Sequence, residues 1–149
     1  MNQEGNRRMV NTEPIRLGIV GLGRAGIGMH CTELESRTDM FKVVAVCDII
    51  KERREVIAQH FACKVNEKIE NLISDPNVEM VDIATQSCDH FRHGKMALEA
   101  GKDVFMEKPL CCTYSEAIAL KKISEKSKKA ISTSEITGDL SQDFNISER

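Results

Sequence analysis

The feature that most narrows what this chain can become is the run Gly21-Leu22-Gly23-Arg24-Ala25-Gly26, set directly between an apolar stretch at 16–20 and a stretch of helical period at 25–35. Alone, such a run marks only a glycine-rich turn. Between a strand and a helix each glycine acquires its own role. Gly21 permits a tight turn, Gly23 has no side chain to obstruct a phosphate, and Gly26 lets helix and strand pack closely. Backbone N–H groups at the helix start then offer an anion site, reinforced by the positive end of the helix dipole. Leu22, Arg24 and Ala25 complete the segment that would face a phosphate-bearing ligand. A turn that binds nothing is the weaker alternative, because both flanks are of the right type.

Downstream, the strand-then-helix unit recurs. Short apolar or β-branched runs at 16–20, 42–47, 80–84 and 103–106 alternate with helical stretches at 25–35, 51–61, 89–100 and 114–126. Runs apolar on both sides of the pleat belong in a parallel sheet covered on both faces, so the pattern predicts an α/β fold, a Rossmann-type doubly wound parallel sheet. Gly101 stands where a helix C-terminal cap belongs, and Thr113 with Glu116 matches a capping box. Lys121, Lys122, Lys126, Lys128 and Lys129 crowd the end of the last helix, where positive charge complements the macrodipole. The domain is expected over 14–131. A polar N-terminus at 1–13 and an aperiodic tail at 132–149 are expected to be disordered, apart from one short strand at 130–133.

At 149 residues the chain has room for one domain, which would bury about 70% of its unfolded surface. A net charge of −2 supplies no electrostatic reason to expect nucleic acid or an anionic membrane as partner. No apolar run approaches the roughly 20 residues of a membrane span, and the polar start lacks a signal-peptide core, so a cytoplasmic location is expected. The six cysteines form no C-x-x-C pair and are read as reduced thiols. The sequon at Asn145 carries no weight without a secretory signal.

Asp48 ends the second apolar run, 27 positions after Gly21, against a spacing of about 20 for the acidic residue that binds an adenosine ribose. The surplus fits a polar turn at 36–39. A carboxylate there accepts hydrogen bonds from both ribose hydroxyls and repels a 2′-phosphate, which favours NAD over NADP. Lys51, Arg53 and Arg54 follow closely and offer charge that would neutralise a phosphate, but charges on a solvated helix face explain them without a ligand.

Thr85 and Gln86 leave the strand at 80–84, His90 opens the next helix, and Glu107-Lys108-Pro109 leaves the strand at 103–106. All lie at carboxyl ends of parallel strands, where open α/β sheets bind ligands. His90 is read as a cofactor-side contact rather than a base. His90 and His93 share a helical face near Cys88 but lack an acidic partner; such a pair is more often ordinary surface than a metal site, so no metal is assigned. The residues Ile83-Ala84-Thr85, His90, Ala97-Leu98-Glu99-Ala100-Gly101-Lys102-Asp103-Val104 and Glu107-Lys108-Pro109, in register with the glycine run and Asp48, resemble the Gfo/Idh/MocA oxidoreductases over 15–129. That resemblance implies an NAD(P)-dependent sugar or polyol dehydrogenase. It places Glu107 near the nicotinamide ribose and makes Lys108 the catalytic group that positions nicotinamide and polarises a substrate hydroxyl. The Lys108–Pro109 bond becomes a candidate for the cis form, which about 5–6% of such bonds adopt.

Two departures stand out. Thr85-Gln86 replaces the family's usual Thr-Pro, and residues 131–149 read like unrelated sequence, as a frameshift, an alternative exon end or a truncation would produce. By the resemblance, a further strand and a large antiparallel-sheet domain should follow to supply the substrate contacts. Turnover by this chain alone is therefore not assigned, since one wall of the pocket would be missing. A sugar-like substrate would require a second domain, and a homo-oligomer is compatible with the sequence. The alternatives are a non-catalytic dinucleotide-binding or partner-binding module, and a product whose uncovered apolar face prevents stable folding.

Overall fold

A computed structural model describes residues 13–133. Six strands, β1 (Ile15–Val20), β2 (Phe41–Cys47), β3 (Lys64–Asn66), β4 (Met80–Ile83), β5 (Asp103–Met106) and β6 (Ile131–Thr133), form one sheet in the order β3-β2-β1-β4-β5-β6. Every pairing is parallel. The chain order therefore reverses direction between β1 and β4, which opens a crevice at the carboxyl ends of those strands. The expected doubly wound α/β sheet is the fold observed. Of the expected tail, Ser132 and Thr133 belong to β6, while residues 1–12 and 134–149 lie outside the described residues.

The helices fall on both faces. A π-helical segment, Gly26–Cys31, continues as α1 (Thr32–Glu35), and with α2 (Lys51–Phe61) it covers one face, where Cys31, Leu34, Ile57 and Ala58 meet Ile15, Leu17, Ile19, Met80 and Phe105. On the other face, α3 (Ile69–Ile73), α4 (Ser87–Glu99) and α5 (Tyr114–Ser127) bring Leu72, Ala97, Leu98 and Leu120 onto Val81, Ile83, Val104 and Met106. All four residues of β4, and all four of β5, are buried, as a sheet covered on both sides requires. Opposite Leu17 and Gly18 of β1 the pairing slips, so Val44 of β2 is an extra residue: Val43 and Val46 share one face while Ala45 and Cys47 turn to the other.

Two elements, β3 and α3, have no counterpart in the expected pattern. At three and five residues they are too short for periodicity to register, and it is pairing with β2 and packing on Gly18 that hold them in place. Leu72 Cδ2 lies 2.7 Å from where a Cβ on Gly18 would stand. The first helix also departs from the regular amphipathic helix expected at 25–35. Its wider π turn sends Gly26, His30 and Cys31 all inward. Elsewhere the local signals hold: Thr113 and Glu116 form the capping box, and Gly101, at φ +76°, ends α4. The Lys108–Pro109 bond is cis.

All six cysteines are unpaired thiols, and burial pushes Cys31 and Cys47 up to about 12 and Cys63 up to about 11. Among the described residues no helix is long and apolar enough to cross a membrane.

Two glycines of the first turn are dictated by the fold itself. Gly21 has φ +92°, and a Cβ there would fall 2.6 Å from the Ala84 carbonyl; a Cβ on Gly26 would fall 2.0 Å from the Gly21 oxygen. Gly26→Ala is expected to cost at least about 1–3 kcal/mol, since rigid backbone must move. Gly28→Ala, with no atom within 4 Å, is expected to add about 0.5–1 kcal/mol by lowering chain entropy. Urea unfolding midpoints of the two variants check both signs.

Candidate functional site

The crevice encloses about 810 Å³ over the ends of β1, β2 and β4. Gly21, Gly23, Arg24 and Ala25 form one wall, Asp48 another, and Thr85 with Gln86 a third. The strand-to-helix geometry aims the helix start at this space: the Gly23 carbonyl accepts the Ile27 N–H at 2.9 Å, and the preceding amides have no acceptor within the helix. Gly23 differs from its two neighbouring glycines. A Cβ on it would meet nothing closer than Arg53 Nη1 at 3.9 Å. No packing demand within the protein calls for glycine here, whereas a ligand lying on the loop would.

Asp48 does more than line the crevice. Its Oδ2 accepts the Leu22 N–H at 2.7 Å and its Oδ1 accepts the Ile50 N–H at 2.7 Å, so the carboxylate ties the glycine loop to the outlet of β2. Gly21 N–H donates to the Cys47 carbonyl at 2.9 Å, closing the same junction from the backbone. Each carboxylate oxygen keeps a second lone pair for a ligand hydroxyl. Of the neighbouring cations, Arg54 donates to the carbonyls of Asp48 and Ile49, both at 3.0 Å, and braces this loop, while Arg53 stands on the crevice wall.

The remaining sequence-predicted residues divide. Leu22 and Gly26 are buried beneath the loop rather than on its surface. His90 is only 1% exposed and is not part of the crevice wall; its ring nitrogens lie 2.6 Å from the Pro109 carbonyl and 3.0 Å from the Thr85 carbonyl, strapping the loops after β4 and β5 together. Glu107 and Lys108 follow β5, beside the crevice rather than in its wall, with Lys108 exposed.

His93, read from sequence as ordinary surface, is instead buried and reaches the crevice. Arg92 Nη2, which can only donate, lies 3.0 Å from His93 Nε2, so Nε2 accepts and Nδ1–H donates to the Thr85 hydroxyl at 3.0 Å. Burial and the Arg92 charge both lower its pKa, in keeping with that neutral tautomer.

One cluster was not foreseen from the sequence, although its member Glu107 was singled out there. His30 lies between Asp82 on β4, at 2.8 Å to each carboxylate oxygen, and Glu107 Oε2, at 2.5 Å. Burial alone would push the imidazole down. The two carboxylates more than reverse this, and His30 is held up at about 9 from an ordinary 6.5. The available signal was Asp82 itself, since an acid inside a strand buried on both faces requires a partner. Among the described residues no cluster of three or more His, Cys, Asp or Glu is arranged to hold a metal ion.

A glycine loop leading into a helix, an acid at the end of β2 and a crevice at the switch point define a dinucleotide-binding α/β domain. The model of the oxidoreductase family with an NAD-binding Rossmann fold, Gfo/Idh/MocA, matches residues 15–135. The chain belongs to that family, as its NAD(P)-binding oxidoreductase domain. It is 32% identical over 121 residues to the NADP(+)-dependent scyllo-inositol 2-dehydrogenase IolW of Bacillus subtilis, covering 80% of this chain and 32% of that one. It is 34% identical over 116 residues to the NAD(+)-dependent scyllo-inositol 2-dehydrogenase of the same organism, covering 77% and 33%. A solved NAD-binding protein from Listeria innocua superimposes with a TM-score of 0.72 at 35% identity, covering 80% and 34%. The chain thus spans about a third of the length of these relatives.

The raised His30 has a consequence for stability. The folded state holds this proton through the interval between 6.5 and about 9, so the stabilisation is complete below 6.5 and is lost as pH rises toward 9. The melting temperature is expected to fall across that interval in the wild type and to fall less in His30→Gln, as scanning calorimetry at several pH values would register.

Proposed function

We propose that this domain binds NAD across the strand ends and serves, together with a substrate-binding half, a dehydrogenase acting on a sugar- or inositol-like hydroxyl. The observation that carries the proposal is the open space above Gly23, beside helix amides aimed into it. The activities of the two Bacillus relatives support the substrate class. They do not agree on the coenzyme, so the preference for NAD rests on Asp48.

In this reading the amides of Gly23, Arg24 and Ala25 hold the pyrophosphate, with Arg24 and Arg53 adding positive charge. The spare lone pairs of Asp48 accept the adenosine ribose hydroxyls and disfavour a 2′-phosphate. Thr85 and Gln86 border the path toward β5, and His90 acts from below by joining the two loops. Glu107 serves the second ribose. When bound, the coenzyme supplies hydride transfer. Lys108 orients the substrate hydroxyl and stabilises developing negative charge on its oxygen, a contribution that depends on position as much as on proton affinity.

Gly23→Ala tests the central claim because the fold has room for the methyl group. The variant is expected to melt within a few degrees of wild type, yet to lose NADH affinity by about tenfold or more, equivalent to about 1.4 kcal/mol. A thermal melt reads the first quantity and a fluorescence titration the second; unchanged affinity would overturn the phosphate assignment. NADH is expected to bind wild type more tightly than NADPH, and the opposite order would remove Asp48 from its role.

A further inference from the structure

We infer that His30, bridging Asp82 and Glu107, is a positioning residue: it fixes the Glu107 carboxylate, and through it the backbone amide of Lys108, at the outlet of β5. The inference rests on the reading of the crevice as a dinucleotide site and concerns only the end remote from Asp48.

Geometry carries it first. His30 Nδ1 meets Asp82 at 2.8 Å and Nε2 meets Glu107 Oε2 at 2.5 Å, while Glu107 Oε1 accepts the Lys108 N–H at 3.1 Å. Glu107 N–H donates to the Ile83 carbonyl at 2.9 Å. Both oxygens of Glu107 and its amide are therefore engaged, and its side chain cannot rotate without breaking the His30 contact. The imidazole is a rigid spacer with nitrogens on opposite sides, so it sets the separation of the two acids as a flexible side chain could not. Phe105 closes the pocket against it, ring centroids 5.7 Å apart and tilted by 58°.

Charge points the same way. Carboxylates only accept, so making both hydrogen bonds at once requires a proton on each ring nitrogen. The side chains of His30, Asp82 and Glu107 are 6%, 3% and 18% exposed. Two acids so buried would repel each other without a cation between them. The groups facing His30 are Asp82 from β4 and Glu107 from the β5 outlet. On its own helix, the neighbouring Cys31 thiol feels both Asp82 and Glu35. The π turn is what aims His30 at the acids.

Distance across the sheet separates this device from the adenosine end. Asp48 follows β2 and Glu107 follows β5, three strand positions away, or roughly 14 Å at the usual strand spacing. A loosened Glu107 should weaken contacts to the nicotinamide half and leave the adenosine half untouched.

The test compares NADH with ADP, which carries only the adenosine diphosphate half, on wild type and His30→Gln. ADP affinity is expected to stay within about twofold, while NADH affinity falls by about tenfold. Equal losses for both ligands would mark His30 as merely structural, and an unchanged NADH affinity would also overturn the inference. If wild type binds neither ligand, the dinucleotide reading itself fails and the inference falls with it. A second measurement stands if the variant does not fold. In nitrogen-15-labelled wild type the Lys108 amide resonance should titrate with the His30 ring at one shared midpoint near 9, and the ratio of NADH to ADP affinity should fall through the same range. A Lys108 amide that does not respond as His30 loses its proton would overturn it.

Discussion

The close approach of the first helix to β1 is the constraint on which the rest depends. At Gly26 the helix backbone comes so near the Gly21 carbonyl that a methyl group would stand 2.0 Å from it. That contact sets the angle at which the helix start points over the sheet, and with it the direction of the amides proposed to hold the phosphates. Any larger residue would tilt the helix away and close the crevice or empty it of donors. Gly21 solves the matching problem from the strand side, because its positive φ and its contact with Ala84 let the chain turn between β1 and β4.

Buried carboxylates do the remaining fastening. A carboxylate removed from water costs several kcal/mol unless it is paired or hydrogen-bonded, so each buried acid in this sheet reveals a connection. Asp48 ties the glycine loop to β2, Asp82 takes His30, and Asp103 accepts the Ala130 N–H at 2.9 Å and so leads the chain into β6. Of these only Asp48 lines the crevice; Asp82 acts beside it, through His30 and Glu107. The β2 outlet and the β5 outlet are thus fastened by different buried acids, each with a partner from another segment.

The likeness to scyllo-inositol dehydrogenases covers about a third of their length and coincides with the NAD-binding Rossmann fold matched over residues 15–135. The relatives differ in coenzyme at nearly equal identity. Overall similarity therefore says little about coenzyme preference, and the proposal for NAD rests on the local placement of Asp48 at the crevice.

Much of this was legible in the linear chain. The turn Gly21-Leu22-Gly23-Arg24-Ala25-Gly26 between a strand and a helix specified the start of the fold through backbone sterics alone. The apolar runs of β1, β2, β4 and β5 declared themselves because strands buried on both faces must be continuously apolar, and the Thr113–Glu116 cap is a contact between near neighbours. The elements β3 and α3 and the slip at Val44 were not legible, since they draw their stability from β2 and from the surface of Gly18. Nor was the burial of His90 and His93, which depends on how the loops after β4 and β5 fold over α4. His30 stands 52 positions from Asp82 and 77 from Glu107, and only the parallel sheet brings them together. Residue chemistry and local spacing are properties of the sequence; the pairing of buried charges is decided by tertiary structure, because burial is what makes an unpaired charge costly.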